Sequence, residues 1–396
     1  MTIGRRRKLE QRKAIFRTLM KKIAVIIPKY GLTGGAEQFA AELTKRLVDQ
    51  TPYTFHVVAN RWRTSPSVQF HKAPIISFPK FLTTPSFAYC SKKRIEHGRF
   101  SLIHSHERIF AADLFTMHGI PHRYWVHHVR QKTMSLFDRA TDWVERKMVY
   151  EGNCKKFIAV STLARDIFLR EYPIDPERVL VIPPGIDPAD YSKFDRRDVR
   201  RHIREEFGIN SAEPVIVFVS MNFEIKGLDE IMSALAKLKA QQKKFKLVVV
   251  GKGNINKYRK MANENRFASD VIFTGPLSKE KLIQIYLAGD LFIMLSKFDT
   301  FGMVVLEAMA AGLPVIISSR VGAKDIVKEN ENGFIVHKTA DADDVAAKMA
   351  FLLDEKICEK FSVSAQETAK QNSWAAVANK YAAIYEEILA SDKPMT

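Results

Sequence analysis

Asp299 and Glu307 stand eight positions apart in the run Asp299-Thr300-Phe301-Gly302-Met303-Val304-Val305-Leu306-Glu307, and this pairing carries the most chemistry in the chain. The apolar stretch from Met303 reads as a helix, closed by Gly312-Leu313-Pro314 and followed by the strand-like Val315-Ile316-Ile317-Ser318. The first turn of such a helix carries unpaired backbone N–H groups, and a glycine at its mouth lets an anion approach them. Asp299 then lies in the loop before that turn, and Glu307 about one and a half turns into the helix. Two carboxylates flanking a diphosphate site are suited to hold the hydroxyls of two sugars, one of them the ribose of a nucleotide. An incidental acid at the start of an amphipathic helix is the competing reading.

Other residues gather where loops leave strands. Lys226-Gly227 follows the strand-like Val215–Ser220 and precedes a helix, a position from which a cation can neutralise a departing diphosphate. A solvated surface lysine would look the same. Gly31-Leu32-Thr33-Gly34-Gly35 follows the first strand, where a parallel sheet binds ligand. It lacks the G-x-G-x-x-G spacing and an acid about twenty residues on, which argues against a dinucleotide site; a plain tight turn would use the same glycines. His118, His122, His127 and His128 crowd into eleven residues, but Pro121 interrupts any helix, no glutamate follows His118 and no cysteine joins them. Asp341-Ala342-Asp343 opens a helix and reads as capping charge. No metal is expected at the site.

The elements that must position these residues alternate between strand and helix, which predicts an α/β protein with parallel sheets. Strands are expected at Lys22–Pro28, Phe55–Ala59, Leu102–Ser105, Phe157–Val160 and Val179–Ile182. After the stiff link Pro183-Pro184-Gly185-Ile186-Asp187-Pro188 the pattern restarts, with strands at Val215–Ser220, Lys246–Val250, Val271–Thr274, Leu291–Leu295 and Pro314–Ser318. Two doubly wound units in tandem follow, with ligand expected at the carboxyl ends of their strands, in a cleft between them.

The run from Asp299 to Met309 resembles the paired-acid signature of the family-4 retaining glycosyltransferases, and is most similar to the lipopolysaccharide-core glucosyltransferase branch. The usual first acid there is Glu; Asp299 is one methylene shorter. The resemblance covers nearly everything from Lys22 onward. It implies the GT-B fold, two tandem Rossmann-like doubly wound domains facing a cleft, with a C-terminal helix crossing back to domain one. The expected organisation is a basic extension at 1–21, an acceptor-side domain at 22–185 joined by helix 374–396, and a nucleotide-sugar-binding domain at 186–373. It implies transfer of a hexose with retention, by same-face attack with the leaving phosphate as base and no metal or other cofactor. Carried onto this chain, Asp299 holds the transferred sugar and Glu307 the ribose. The run Phe301-Gly302-Met303-Val304 receives the diphosphate with Lys226. Backbone around Gly275 and Leu277 holds the base, and Gly34-Gly35 lets the chain approach donor sugar and phosphates. Asp113 and His118 face the anomeric carbon or the acceptor hydroxyl. The family commonly has two cations where this chain has Lys226 alone; Arg320 or Lys324 would supply the second from another loop.

Composition bounds the partners. The 396 residues carry a net charge of +18, with 46% hydrophobic and 27% charged residues, a globular composition. Residues 1–22 hold nine Lys or Arg against Glu10. Such a segment suits an anionic membrane surface or a phosphorylated glycolipid. No apolar run is long enough to span a bilayer, no signal peptide is visible, and Cys90, Cys154 and Cys358 form no disulfide or metal pattern. The expected place is the cytoplasm, peripherally at the inner face of the membrane. The expected acceptor is an anionic glycolipid such as lipopolysaccharide core and the expected donor UDP-glucose. A polyprenyl-linked or phosphoinositide acceptor and a nucleotide-sugar 2-epimerase of the same fold are the alternatives. Nucleic acid is not expected as a partner, since no aromatic stripe or known module accompanies the charge.

Overall fold

The computed structural model describes residues 21–32 and 34–391. The basic extension, apart from Lys21, therefore lies outside the described residues. The chain divides into two compact units. The first takes in the chain up to Val160, then Ala164–Ile182 and the segment from Trp374; the second takes in Ser161–Leu163 and Pro183–Ser373.

The first unit is built on β1 (Lys22–Ile26), β3 (Thr54–Ala59), β5 (Val68–Lys72), β6 (Leu102–Ser105), β7 (Leu114–Met117), β8 (Lys156–Ala159) and β9 (Val179–Val181). They form one sheet in the order β5-β3-β1-β6-β7-β8-β9, every pairing parallel. A two-stranded ribbon of β2 (Lys29–Tyr30) and β4 (Arg61–Trp62) stands beside it. The inner strands are near-continuous apolar runs, as a sheet covered on both faces requires. β5 was not expected from sequence. It is an edge strand, VQFHK, with one buried residue, so its hydrophobic signal is weak.

Helix Gly35–Gln50 lays Phe39, Ala40, Leu43 and Leu47 against this core. The terminal helix, Trp374–Ser391, carries Trp374, Val377, Tyr381, Ile384, Tyr385 and Ile388 at helical spacing and joins the same core. The rings of Phe39 and Trp374 meet at 5.1 Å. The terminal helix thus returns to the first unit, as the resemblance implied. Its two tyrosines do more than fill space. His104 Nδ1 lies 2.7 Å from the Tyr385 hydroxyl and Nε2 lies 2.8 Å from Thr116 Oγ1, which in turn lies 3.0 Å from the Tyr381 hydroxyl. A fully buried imidazole is tolerated because both ring nitrogens are satisfied.

The second unit holds β10 (Val215–Ser220), β11 (Lys246–Gly251), β12 (Val271–Gly275), β13 (Leu291–Met294), β14 (Val315–Ser318) and β15 (Gly333–Val336). They pair in parallel in the order β12-β11-β10-β13-β14-β15. The strand order reverses between β10 and β13, and open parallel sheets bind ligand beside such a reversal. Among the described residues, no helix is long and apolar enough to cross a membrane.

Burial, with a smaller contribution from His118, pushes the His104 pKa down to about 3. An unfolded chain takes up this proton below about pH 6.5, whereas the folded unit resists it until about 3, so stability falls as pH drops through that window. The slope is about 1.4 kcal/mol per pH unit for this one group. The melting temperature should therefore fall between pH 7 and pH 4, and His104→Gln should flatten the dependence. An equally steep dependence in the variant would remove His104 as its source.

Candidate active site

In the second unit the expected donor residues collect at the carboxyl ends of the strands. Gly227 lies between the loop after β10 and helix Leu228–Ala240, at φ +81, and a Cβ there would stand 2.2 Å from the Leu295 carbonyl oxygen. Its missing side chain allows this loop to press against the one after β13. Two bonds then stitch them: the Lys297 N–H donates to the Ile225 carbonyl at 2.8 Å, and the Ser296 hydroxyl to the same oxygen at 3.2 Å. The result is an ion pair between Lys226 Nζ and Asp299 Oδ2, with both side chains about one-fifth exposed. The Asp299 backbone is held from the other side, its N–H donating to Arg320 O and its carbonyl accepting from Gly322, both at 3.0 Å.

Asp299 Oδ1 also accepts from the Phe301 N–H at 3.2 Å, which turns the chain into Gly302. Gly302 caps helix Met303–Ala310 at φ +90, and a Cβ there would stand 2.9 Å from Met294 Cε and 3.0 Å from Val321 Cγ1. The first helical bond of this turn is Val305 N–H to Gly302 O. The amides of Gly302, Met303 and Val304 precede that bond at the positive end of the helix. Glu307 is half-buried, and its Oε2 accepts from the Tyr286 hydroxyl at 3.2 Å. Burial raises its carboxyl pKa, opposed by the Tyr286 bond and by Lys279. Tyr286 is a contributor that sequence reasoning missed; it sits on an ordinary apolar helix, Lys279–Ala288, with nothing to mark it. Gly275 ends β12 at φ +72 with open space where a Cβ would lie, and Leu277 is half-buried beyond it. Asp341 caps helix Ala342–Leu352 by accepting from the Asp344 N–H at 3.1 Å, which is the capping role expected of it.

In the first unit, Gly34 has φ +144 and Gly35 opens helix Gly35–Gln50, with nothing within 4 Å of where a Cβ would be. The backbone therefore requires a glycine at 34 but not at 35. His118 follows β7, and its Nε2 lies 2.9 Å from His106 Nδ1, which follows β6. The two rings stack at 5.2 Å, and Phe39 meets His118 edge-on at 4.8 Å. Burial pushes His118 down to about 3 and His106 well below its ordinary value, so both are neutral at neutral pH. A cavity of about 90 Å³ lies beside them, lined among others by Ala36, Glu107, Gly119 and Glu145.

Asp113 requires a correction. It precedes β7, at the amino end of that strand, whereas His118 follows its carboxyl end. Its carboxylate accepts from the Ile103 N–H at 2.8 Å, and Lys155 Nζ lies 4.0 Å away. It is a strand-end clamp, separated from His118 by the length of β7. The crowded histidines also disperse: His122 Nε2 meets Asp138 at 2.9 Å, and the His128 ring packs against Tyr124.

These two sheets define the class. Among solved structures, the chain is similar to WaaG, a glycosyltransferase involved in lipopolysaccharide biosynthesis, with a TM-score of 0.73 at 20% identity over 91% of this chain and 99% of that one. It is also similar to Anabaena HepE in complex with UDP and glucose, with a TM-score of 0.68 at 18% identity over 93% and 99%. The fold is GT-B. The family profile described as Glycosyltransferase Family 4 matches residues 33–190, and that described as Glycosyl transferases group 1 matches residues 199–372. The chain belongs to the family-4 glycosyltransferases. Its curated relatives include a D-inositol 3-phosphate glycosyltransferase of Corynebacterium glutamicum (strain R), 31% identical over 57% of this chain and 55% of the relative. Another is an uncharacterized glycosyltransferase of Methanocaldococcus jannaschii, 24% identical over 81% and 84%. The chain spans little more than half the length of the inositol-phosphate enzymes it matches, 54–58% for the Corynebacterium glutamicum, Rhodococcus jostii and Corynebacterium efficiens proteins.

The two glycine environments give opposite expectations. Gly302→Ala meets left-handed strain of about 1–2 kcal/mol as well as Met294 and Val321, and should lower the melting temperature. Gly35→Ala meets neither and should leave it unchanged or slightly raised. If Gly35→Ala nevertheless weakens donor turnover, ligand approach explains that glycine; intact turnover would leave it a turn residue.

Proposed function

We propose that the protein is a retaining hexosyltransferase. It moves glucose from UDP-glucose to a hydroxyl of a membrane-associated glycolipid such as lipopolysaccharide core. The observation that carries this reading is the convergence of Lys226, Asp299 and the helix mouth at Gly302 beside the reversal of strand order. The diphosphate lies against the amides of Gly302, Met303 and Val304 with Lys226 as its cation. Glu307 holds the ribose hydroxyls and Asp299 those of the transferred sugar, while Phe301 shapes the turn between them. Backbone at Gly275 and Leu277 receives the base. In the first unit, this reading assigns Gly34 and Gly35 a ligand-approach role and neutral His118 the acceptor hydroxyl.

The acceptor oxygen bonds to the anomeric carbon on the face from which the diphosphate leaves. The carbon–phosphate oxygen bond breaks, and a leaving phosphate oxygen takes the acceptor proton. Charge developing on the diphosphate is met by Lys226 and the helix amides, so no metal is required. The reaction is placed at the inner face of the cytoplasmic membrane. The basic segment 1–22 supports an anionic surface as its location.

The D-inositol 3-phosphate glycosyltransferases among its relatives favour a second acceptor reading, a phosphorylated polyol. A nucleotide-sugar 2-epimerase would use the same donor end and turn over without acceptor. Thermal stability against UDP-glucose, UDP-galactose, UDP-N-acetylglucosamine, GDP-mannose and ADP-heptose tests the donor directly. At a hundredfold excess over Kd a bound donor adds about 2.7 kcal/mol. The expected result is a shift with UDP-glucose that EDTA does not change, lost in Glu307→Ala. Lys226→Met should lower turnover at saturating donor by about a hundredfold or more. Wild-type turnover in Glu307→Ala, or acceptor-free epimerisation, would sink the assignment.

A further inference from the structure

Helix Leu136–Glu151 in the first unit is charged the opposite way from a usual surface helix. Three of its four acids face inward: Asp138, Asp142 and Glu145 are 2%, 5% and 3% exposed. Each is matched there. Asp138 meets His122 and Arg130 at 2.9 and 3.2 Å, Asp142 meets Arg123 at 2.7 Å, and Glu145 pairs with Arg108 and accepts from the Tyr172 hydroxyl at 2.7 Å. The outward face is Leu136, Arg139, Trp143, Arg146 and Tyr150, at steps of three and four residues. Its large side chains are bare, with Leu136, Trp143 and Tyr150 exposed by 69%, 51% and 52%. Lys147 Nζ lies 5.7 Å from both the Trp143 and the Phe110 ring. At the amino end of the helix, Lys80 Nζ lies 5.1 Å over Phe137, bringing up the segment 76–81, whose Ile76 and Phe78 are 52% and 87% exposed.

We propose that this face, with the adjoining segment 76–81, is the surface on which the protein docks to an anionic lipid membrane. The inference deepens the glycolipid-acceptor reading and rests on it for the occupant. Interleaved aromatics and arginines match the headgroup boundary, where rings sit at the interface and cations meet anionic lipid. The bare aliphatic and phenyl groups at Leu136, Ile76 and Phe78 gain by entering acyl chains and gain nothing against a phosphate backbone. In an isologous contact a second copy would set these arginines against themselves. The inward placement of the helix acids is what leaves the face positive; Glu151, at its end, is the one exposed acid of the helix.

The test is co-sedimentation of the full chain with vesicles of phosphatidylglycerol in phosphatidylcholine, against phosphatidylcholine alone, without donor or acceptor. Binding is expected to the anionic vesicles and to weaken in high salt. Combined Arg139→Gln and Arg146→Gln should lower partitioning about thirtyfold, at roughly 1 kcal/mol per cation. Trp143→Asp should weaken it as well, while Val363→Asp, altering a bare apolar residue of the second unit, should not. Brominated lipid should quench tryptophan emission in the wild type and less so in Trp143→Phe, a readout that needs no disruptive change. A retained donor-induced thermal shift shows that each variant is folded. Equal binding to neutral vesicles, or wild-type partitioning by the arginine variant, would overturn the proposal. So would a lipid-free dimer that Trp143→Asp abolishes. None of these outcomes bears on donor chemistry, which is read separately by turnover of the nucleotide sugar.

Discussion

The candidate donor site depends on how closely two loops of the second unit approach each other. β10 and β13 are neighbours in the sheet but not in the chain, so their following loops leave side by side while the strand order turns away on either hand. Contact is possible because Gly227 offers no Cβ to the Leu295 carbonyl, and backbone bonds through Ile225 and Lys297 then fix the spacing. The meeting of Lys226 and Asp299 is a consequence of this approach, since a partly exposed pair contributes only about 0–1 kcal/mol. Its weakness suits the proposed role. A diphosphate carrying more charge can replace Asp299 as the partner of Lys226 without disturbing the scaffold, and releases the carboxylate for sugar hydroxyls.

The first unit uses the same strand-end geometry with neutral groups. His106 and His118 leave neighbouring strands, and burial keeps them uncharged. A neutral imidazole can pass or accept a hydrogen bond without bringing a charge into this buried layer. His106 Nε2 is buried with no hydrogen-bond partner among the described residues, next to a cavity large enough for water. Such an unpaired nitrogen costs about 1–3 kcal/mol unless water or a ligand hydroxyl satisfies it.

The fold was legible because inner parallel strands are unbroken apolar runs, and because the terminal helix shows its stripe from Trp374 to Ile388 openly. The candidate donor end was legible for a related reason. Asp299, Gly302 and Glu307 lie within nine residues, so local spacing alone brings them together. Tyr286 was invisible because its contact with Glu307 is made across two helices by a residue that otherwise looks like core. Asp113 misled because the family resemblance carried it over beside His118, and a resemblance in wording does not say which end of a strand a residue occupies. The intervening strand is extended, and four residues at about 3.3 Å each carry the two side chains to opposite ends of it.

Charge was the least legible property of all. A net +18 says nothing of which cations are free, and the segment 122–151 illustrates why. Arg123 and Arg130 answer the inward acids Asp142 and Asp138, and Arg108 reaches the same layer to meet Glu145. These arginines contribute to the packing of the unit rather than to its external field. Arg139 and Arg146 look no different in composition, yet fall on the face where every inward acid of the helix is out of reach. The distinction follows from helical phase: Asp138, Asp142 and Glu145 are spaced by four and three, and so are Arg139, Trp143 and Arg146, one residue further on. A shift of one position turns about 100° around the helix, which separates a buried ionic layer from an outward cationic and aromatic one.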